Sequence, residues 1–400
     1  MLIRRMLYCL IVWISFAASP GVMCDVMSAQ IQLTAGAPVE VTIPIAPIPV
    51  KSNGEVHLVY ELHVTNFEAS SLTLNRVEVL AQGSSSALLA SYRETELPDL
   101  LARPGTPSTL VDKRVIDGGM RVVVYLWLTV KAGSPVPTSL RHRLFFTVTS
   151  SAGKDEEEVM DGAEVVVRKE LPLVVAAPLR GGIWIAGNGP SKAGHHRRML
   201  LALNGRVTIS QRFAYDFLKL GEDGKAVQGD SSKNENWLGY GSEVLAVADG
   251  IISEAQDDIP ENTPLTPKRA IPIPSNKAVG GNYVILDLGK GNFAFYAHMQ
   301  PKSIRVKVGD RVRRGKVLGL LGNSGNSDAP HLHFQISNAQ SLSEGEGLPF
   351  VLESFDVLGQ EELLPALGLE PSEGRWKPQP GAIPRRQKEM PLDNAVIRFP

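Results

Sequence analysis

Four short stretches of this chain carry side chains that could bind a metal or move protons. In His331-Leu332-His333-Phe334, period-two alternation along a strand would project both imidazoles to one face and turn Leu332 and Phe334 to the core. Such a pair can supply one metal ligand and one acid–base group, although an arbitrary His-x-His is more often a pair of surface residues. Here it follows Gly322-Asn323-Ser324-Gly325-Asn326-Ser327-Asp328-Ala329-Pro330, a loop suited to close backbone approach. His298 ends a second expected strand, with Tyr296 on its face. Asp216 lies in Gln211-Arg212-Phe213-Ala214-Tyr215-Asp216-Phe217, where Phe213, Tyr215 and Phe217 share one strand face and leave the carboxylate on the other. A carboxylate so placed is either solvated or paired, and a metal is one such partner. The fourth stretch, His195-His196-Arg197-Arg198, follows a Gly/Ser/Pro-rich loop.

One Asp and two His can hold Zn²⁺ in an open tetrahedral site, leaving a position for water. The bound metal would acidify that water and polarise a carbonyl, while two further histidines move protons and stabilise an oxyanion. Of the eight histidines, the remaining three (His57, His63 and His142) sit in strand patterns near the N-terminus and read as structural or surface residues. No Gly-x-Ser-x-Gly, phosphate loop, dinucleotide fingerprint or His-Glu-x-x-His helix supports a rival enzyme class.

The elements expected to position these groups are mostly strands. Residues 30–170 contain short alternating runs, among them Val41–Ile43, Val56–Val64, Leu72–Leu80, Met120–Val130 and Leu144–Val148, broken by turn signals such as Asp117-Gly118-Gly119. This spacing predicts a β-sandwich of Ig-like architecture. Glu156-Glu157-Glu158, within Lys154–Asp161, reads as a polar turn. After a crossing near Leu171–Gly182, a β domain is expected over residues 178–358, with strands at Val244–Ile252, Asn282–Asp287, Phe293–His298, Val306–Val308 and Val317–Leu321. Asp257–Val279 reads as an inserted loop. Residues 359–400, with Arg375, Lys377, Arg385, Arg386 and Lys388, are expected to form a tail packed over that domain.

Size and composition bound the rest. Four hundred residues exceed one ordinary core and fit two domains plus tails. A formal net charge of −1 gives no electrostatic case for nucleic acid. Arg4 and Arg5, the apolar run Met6–Ala18 and the small residues after it lay out a secretory signal over residues 1–29, too short for a comfortable membrane span. An uncleaved N-terminal anchor is the alternative. The expected location is exported, periplasmic or extracellular, with no stable membrane insertion after cleavage. Both cysteines, Cys9 and Cys24, fall in or beside this segment, so no disulfide is expected in the mature chain and any transition metal must rest on His and carboxylates.

Several motifs in order resemble the lysostaphin/LytM-type zinc endopeptidases, which cleave peptide bonds in bacterial peptidoglycan. They run from Gly241–Gly250 through Gly281–Asp287, Tyr296–Met299, Val308–Val312 and Gly322–Gly325 to His331–Phe334, within roughly residues 180–345. The resemblance implies a two-sheet β fold with a duplicated hybrid motif, Zn²⁺ on Asp216 and His333, and His298 and His331 as catalytic histidines. One departure stands out. That family usually carries its first zinc-binding His four residues before the Asp, where this chain has Arg212. Either His196, or less favourably His195, supplies the missing ligand, or the domain is a catalytically inactive module that binds cell wall or regulates a partner hydrolase.

Overall fold

The computed structural model describes residues 36–82, 87–105, 112–149, 153–272, 279–361, 376 and 383–400. The signal-like segment 1–29 with both cysteines lies outside the described residues, as do Arg375 and Lys377. The fold is mainly β. Among the described residues α-helix is confined to the single turn Leu97–Leu100 and to residues 279–280, and no helix is long and apolar enough to cross a membrane.

Two five-stranded sheets face each other in the N-terminal part. One is built on Glu55–Asn66 and Arg121–Val130, the other on Leu72–Ala81 and Ser139–Thr149. Alternate residues of each pack between them: Leu58, Tyr60, Leu62 and Val64 from the first meet Leu72, Leu74, Leu144 and Phe146 from the second. The Glu156–Glu158 run corrects the expected polar turn, for it lies inside a strand, Asp155–Val166, which among the described residues is paired only with Ser139–Thr149. An edge strand has one unpaired side, and a row of carboxylates there is compatible with pairing while opposing further strand addition.

The second part is an eleven-stranded sheet. Its central order is Phe350–Gln360, Ala395–Arg398, Ile183–Gly187, Tyr215–Leu220, Leu332–Ser337, Asn292–Met299, Asn282–Gly289 and Gly250–Gln256. Residues 359–400, expected as a tail over the domain, supply two of its strands, and Ala395–Arg398 runs between Phe350–Gln360 and Ile183–Gly187. Val306–Val308 is not a strand, while Val244–Ile252 splits into Glu243–Leu245 and the start of Gly250–Gln256.

The sheet containing Glu55–Asn66 is covered on both sides. Its His57, Val59, Glu61 and His63 face away from the sandwich core, yet all four are buried. Val59 joins the core of the second part, alongside Val50 and with Trp127 packed against it. The residues from Gly36 onward accordingly form one compact unit.

Candidate metal centre

Asp216 and His333 are direct cross-strand partners on neighbouring strands, so their side chains emerge side by side on one face. The opposite face holds Tyr215, Phe217, Leu332 and Phe334 in the core, and there Phe334 packs edge-on to Phe350 with ring centroids 5.2 Å apart. Phe213 does not belong to this strand. Residues 209–214 make turns closed by Arg212 N–H to Ile209 O and Ala214 N–H to Gln211 O, and the strand begins at Tyr215.

His298 corrects the expectation that it shares a face with Tyr296. Tyr296 lies in the core, its hydroxyl accepting from Val247 N–H, whereas the His298 ring lies 4.8 Å from that of His331 and 5.9 Å from that of His333. Two irregularities reverse the side. The pairing with Asn282–Gly289 shifts between Asn282 and Val284, leaving Ala297 and His298 opposite a single residue, and His298 itself has φ +65°. A bulge re-aims a side chain. A left-handed conformation at a non-glycine costs roughly 1–3 kcal/mol and needs support from its surroundings. That support comes from Ser324, whose carbonyl oxygen accepts from His298 Nδ1–H at 2.9 Å. Ser324 can come so near because Gly325, at φ +76°, lies against Gly281, where a Cβ would sit 2.3 Å from the Gly281 nitrogen.

His196 belongs to a three-residue 3-10 turn, His196–Arg198, and its Nε2 lies 3.4 Å from Asp216 Oδ2. His331, just before its strand, has Nε2 3.4 Å from Asp216 Oδ1. Potential ligand atoms of His196, Asp216 and His333 all fall within 4.8 Å of one another. His195, the other candidate from this loop, is exposed, with its ring 6.0 Å from that of His196. Arg212 does not enter the cluster; its guanidinium is committed to Glu61 and Glu346.

The hydrogen bonds around the cluster decide which ring nitrogens are free. A carbonyl can only accept, so His196 Nδ1–H donates to Asn188 O at 3.0 Å, His298 Nδ1–H to Ser324 O, and His331 Nδ1–H to Ala329 O at 2.8 Å. Gln335 fixes the fourth ring. Its amide nitrogen donates to Ser210 O and Leu342 O, which turns Oε1 toward His333 to accept from Nε2–H at 2.9 Å. His333 Nδ1 thus presents a lone pair to Asp216 Oδ1 at 3.0 Å. Two acceptors at that distance repel unless a cation stands near both or the ring is protonated. Outer partners that set tautomer and orientation are what metal-binding imidazoles ordinarily have. The donor set therefore fits a cation such as Zn²⁺.

The ionisation balance is consistent with that fit. Burial holds His196 down at about 4 despite the Asp216 carboxylate, so its imidazole is neutral at ordinary pH. Burial, reinforced by His331 and His333, also puts His298 well below its usual value. For His331, burial alone would lower the pKa, but the adjacent carboxylate outweighs it and the net shift is upward. Asp216 shows the converse: burial would raise it, and the surrounding imidazoles hold it well below the ordinary carboxylate range.

Asn188 and Gln335 are the site residues that sequence reasoning missed. Asn188 accepts from His196 through its carbonyl and donates from Nδ2 to Asp216 Oδ2 at 2.7 Å. Gln335 carried a usable signal, standing two residues after His333 and so on the same strand face. Asn188 carried none, for it lies just past Ile183–Gly187, and only the pairing of that strand with Tyr215–Leu220 brings it to Asp216, 28 positions away. The cluster floors a cleft bordered by Met199, Leu342 and Val279 and by Gln211, Arg269 and Asp328.

Part of the chain is similar to known proteins. The model of Peptidase family M23 matches residues 238–344, a span that contains His298, His331 and His333 but neither His196 nor Asp216. The chain is 46% identical over 75 residues to a glycyl-glycine endopeptidase, ALE-1, of Staphylococcus capitis, covering 18% of this chain and 20% of that protein. It is 39% identical over 61 residues to the peptidoglycan DD-endopeptidase ShyA of Vibrio cholerae, covering 15% and 14%. These matches span a fifth or less of the relatives' own length. Among solved structures, the catalytic domain of lysostaphin from Staphylococcus simulans aligns at 26% identity and TM-score 0.23, over 42% of this chain and 88% of that one. From residue 238 to residue 344, the chain matches Peptidase family M23.

Proposed function

We propose that the protein is an exported, zinc-dependent metalloendopeptidase that hydrolyses peptide bonds in peptidoglycan. The observation that carries this reading is the convergence of His196, His331 and His333 on Asp216, with the His298 ring against those of His331 and His333, each of the four rings tied at one nitrogen by an acceptor outside the cluster. The M23 match and the similarity to two enzymes named as endopeptidases support it further. The layout of residues 1–29 supports export.

In this reading His196, Asp216 and His333 hold the metal. Bound Zn²⁺ would supply Lewis-acid polarisation of the scissile carbonyl and bring the pKa of a bound water toward roughly 7. His298 and His331 present Nε2 to the same cleft. Their Nδ1–H bonds to backbone carbonyls hold these nitrogens in place to accept the proton of the attacking water, stabilise the oxyanion and return a proton to the leaving amine. Asn188 and Gln335 orient the ligands.

Metal analysis of the purified protein tests the ligand set. One Zn²⁺ per chain is expected, lost in both His196→Ala and His333→Ala. A wild type that binds none sinks the reading, and retention of zinc by His196→Ala sinks that assignment alone. Digestion of peptidoglycan, with the products identified by mass, then tests turnover. Arg212, standing where the resemblance to lysostaphin/LytM-type endopeptidases implies a ligand, favours one second reading, a catalytically inactive module that binds cell wall or regulates a partner hydrolase. Stoichiometric zinc without cleavage products would select it.

A further inference from the structure

The turn that carries His196 is held from outside its own sheet. It comprises three residues and has no side-chain cap. Arg197, fully buried, points away from the cluster into the sandwich. There its Nε donates to Glu61 Oε1 at 2.8 Å, and its Nη2 donates to Tyr60 O and Leu126 O, both at 2.8 Å. Arg198 follows the same route, with Nη1 donating to Leu101 O at 3.1 Å and its guanidinium 5.0 Å from the centre of the Tyr125 ring. All of these partners belong to the sandwich.

Glu61 is 2% exposed, and its other oxygen accepts from Arg212 Nε at 2.9 Å. Burying three charged groups carries a large desolvation cost before their mutual attraction is counted, and apolar replacements of such triads are often neutral or stabilising. Stability alone is thus a poor account of it. Geometry gives a better one, because a guanidinium fork satisfied on three sides admits little rotation. The residue preceding it in the chain is His196.

We propose that Glu61 and Arg197 are positioning residues for the metal site: the sandwich, through the Glu61–Arg197 clamp, sets where the His196 imidazole stands. The sandwich then forms part of the construction of the site. This proposal rests on His196 being a ligand, and the experiment separates the two.

Full-length Arg197→Met, Arg197→Lys and Arg212→Met are compared with His196→Ala. Zn²⁺ affinity is measured by chelator competition, ligand geometry by the visible spectrum of the Co²⁺-substituted protein, and melting temperature without metal. Arg197→Met is expected to weaken Zn²⁺ binding by about 10–100-fold, as loss of a ligand's supporting residue does, and to shift the Co²⁺ bands toward those of His196→Ala. Arg197→Lys keeps the charge but not the fork and should recover part of the affinity. Arg212→Met also removes a partner of Glu61, and should lower the melting temperature without moving the Co²⁺ bands. If Arg197→Met does not fold, faster amide exchange across residues 189–200 in metal-free Arg197→Lys than in wild type supplies the same test. Folded Arg197 variants with wild-type affinity, spectrum and exchange would overturn the clamp. Wild-type affinity in His196→Ala would instead remove the ligand assignment, and the positioning role with it.

Discussion

Acid should weaken this protein through His142, a residue of the sandwich outside the proposed metal site. His142 is fully buried in the sandwich. Its Nδ1–H donates to Ala163 O at 2.7 Å, and its Nε2 accepts from the Tyr60 hydroxyl at 2.7 Å, so both ring nitrogens are used in the neutral form. Burial lowers its pKa from 6.5 to about 4. A depressed histidine pKa means that the unfolded chain binds the proton more readily, so stability is fully present above about pH 6.5 and falls as pH drops toward 4. A shift from 6.5 to about 4 corresponds to roughly 2–3 kcal/mol lost between pH 7.5 and pH 4.5. Urea unfolding in the presence of chelator, followed by tryptophan fluorescence at both pH values, measures the loss. His142→Gln should be less stable at pH 7.5 but lose roughly 2–3 kcal/mol less than wild type on acidification. The difference isolates this residue from His63 and His196, which burial also lowers to about 4. Equal acid sensitivity in the two proteins would refute the assignment.

Three further outcomes are expected. Gln335→Leu removes the acceptor that fixes the His333 tautomer and should weaken Zn²⁺ binding about 10–100-fold by chelator competition; unchanged affinity would show that the ring needs no such partner. Arg212→Met breaks a buried ion pair with Glu61 and Glu346 and should cost about 3–5 kcal/mol in chemical denaturation; a neutral result would mean that the two carboxylates re-pair elsewhere. Gly325→Ala places a methyl against the Gly281 backbone at a positive φ. It should displace Ser324 from His298 and lower kcat on peptidoglycan by at least tenfold with KM little changed; a kcat equal to wild type would show that the His298 support tolerates the shift.

Much of the site is legible in the sequence because strand periodicity is strict. His333 and Asp216 are found by asking which side chain faces away from buried aromatics, and the pairing of their strands brings them together. His298 shows where the rule stops. Period two puts it on the core face with Tyr296, and only a bulge and a left-handed backbone, invisible in an alternating pattern, turn it to the other side. The same periodicity misleads in the sandwich. His57, Glu61 and His63 alternate with apolar residues as a solvent-facing row does, yet a second layer covers them and their polarity serves an internal boundary. Arg212 looks like a lost ligand in sequence; in space it lies in a turn outside the strand and has two carboxylates of its own.

The place of Ala395–Arg398 in the large sheet bears on when the site can assemble during synthesis. This strand pairs with Ile183–Gly187, which in turn pairs with the strand bearing Asp216. A nascent chain that has reached residue 344 has made every residue proposed to act at the metal, yet the sheet beneath Asp216 still has an open flank. Some fifty residues must follow before the last partner arrives. Contacts so distant in sequence form slowly, and an unpaired strand edge waits in the interval. The proposed metal site would thus be completed only once Ala395–Arg398 has been made.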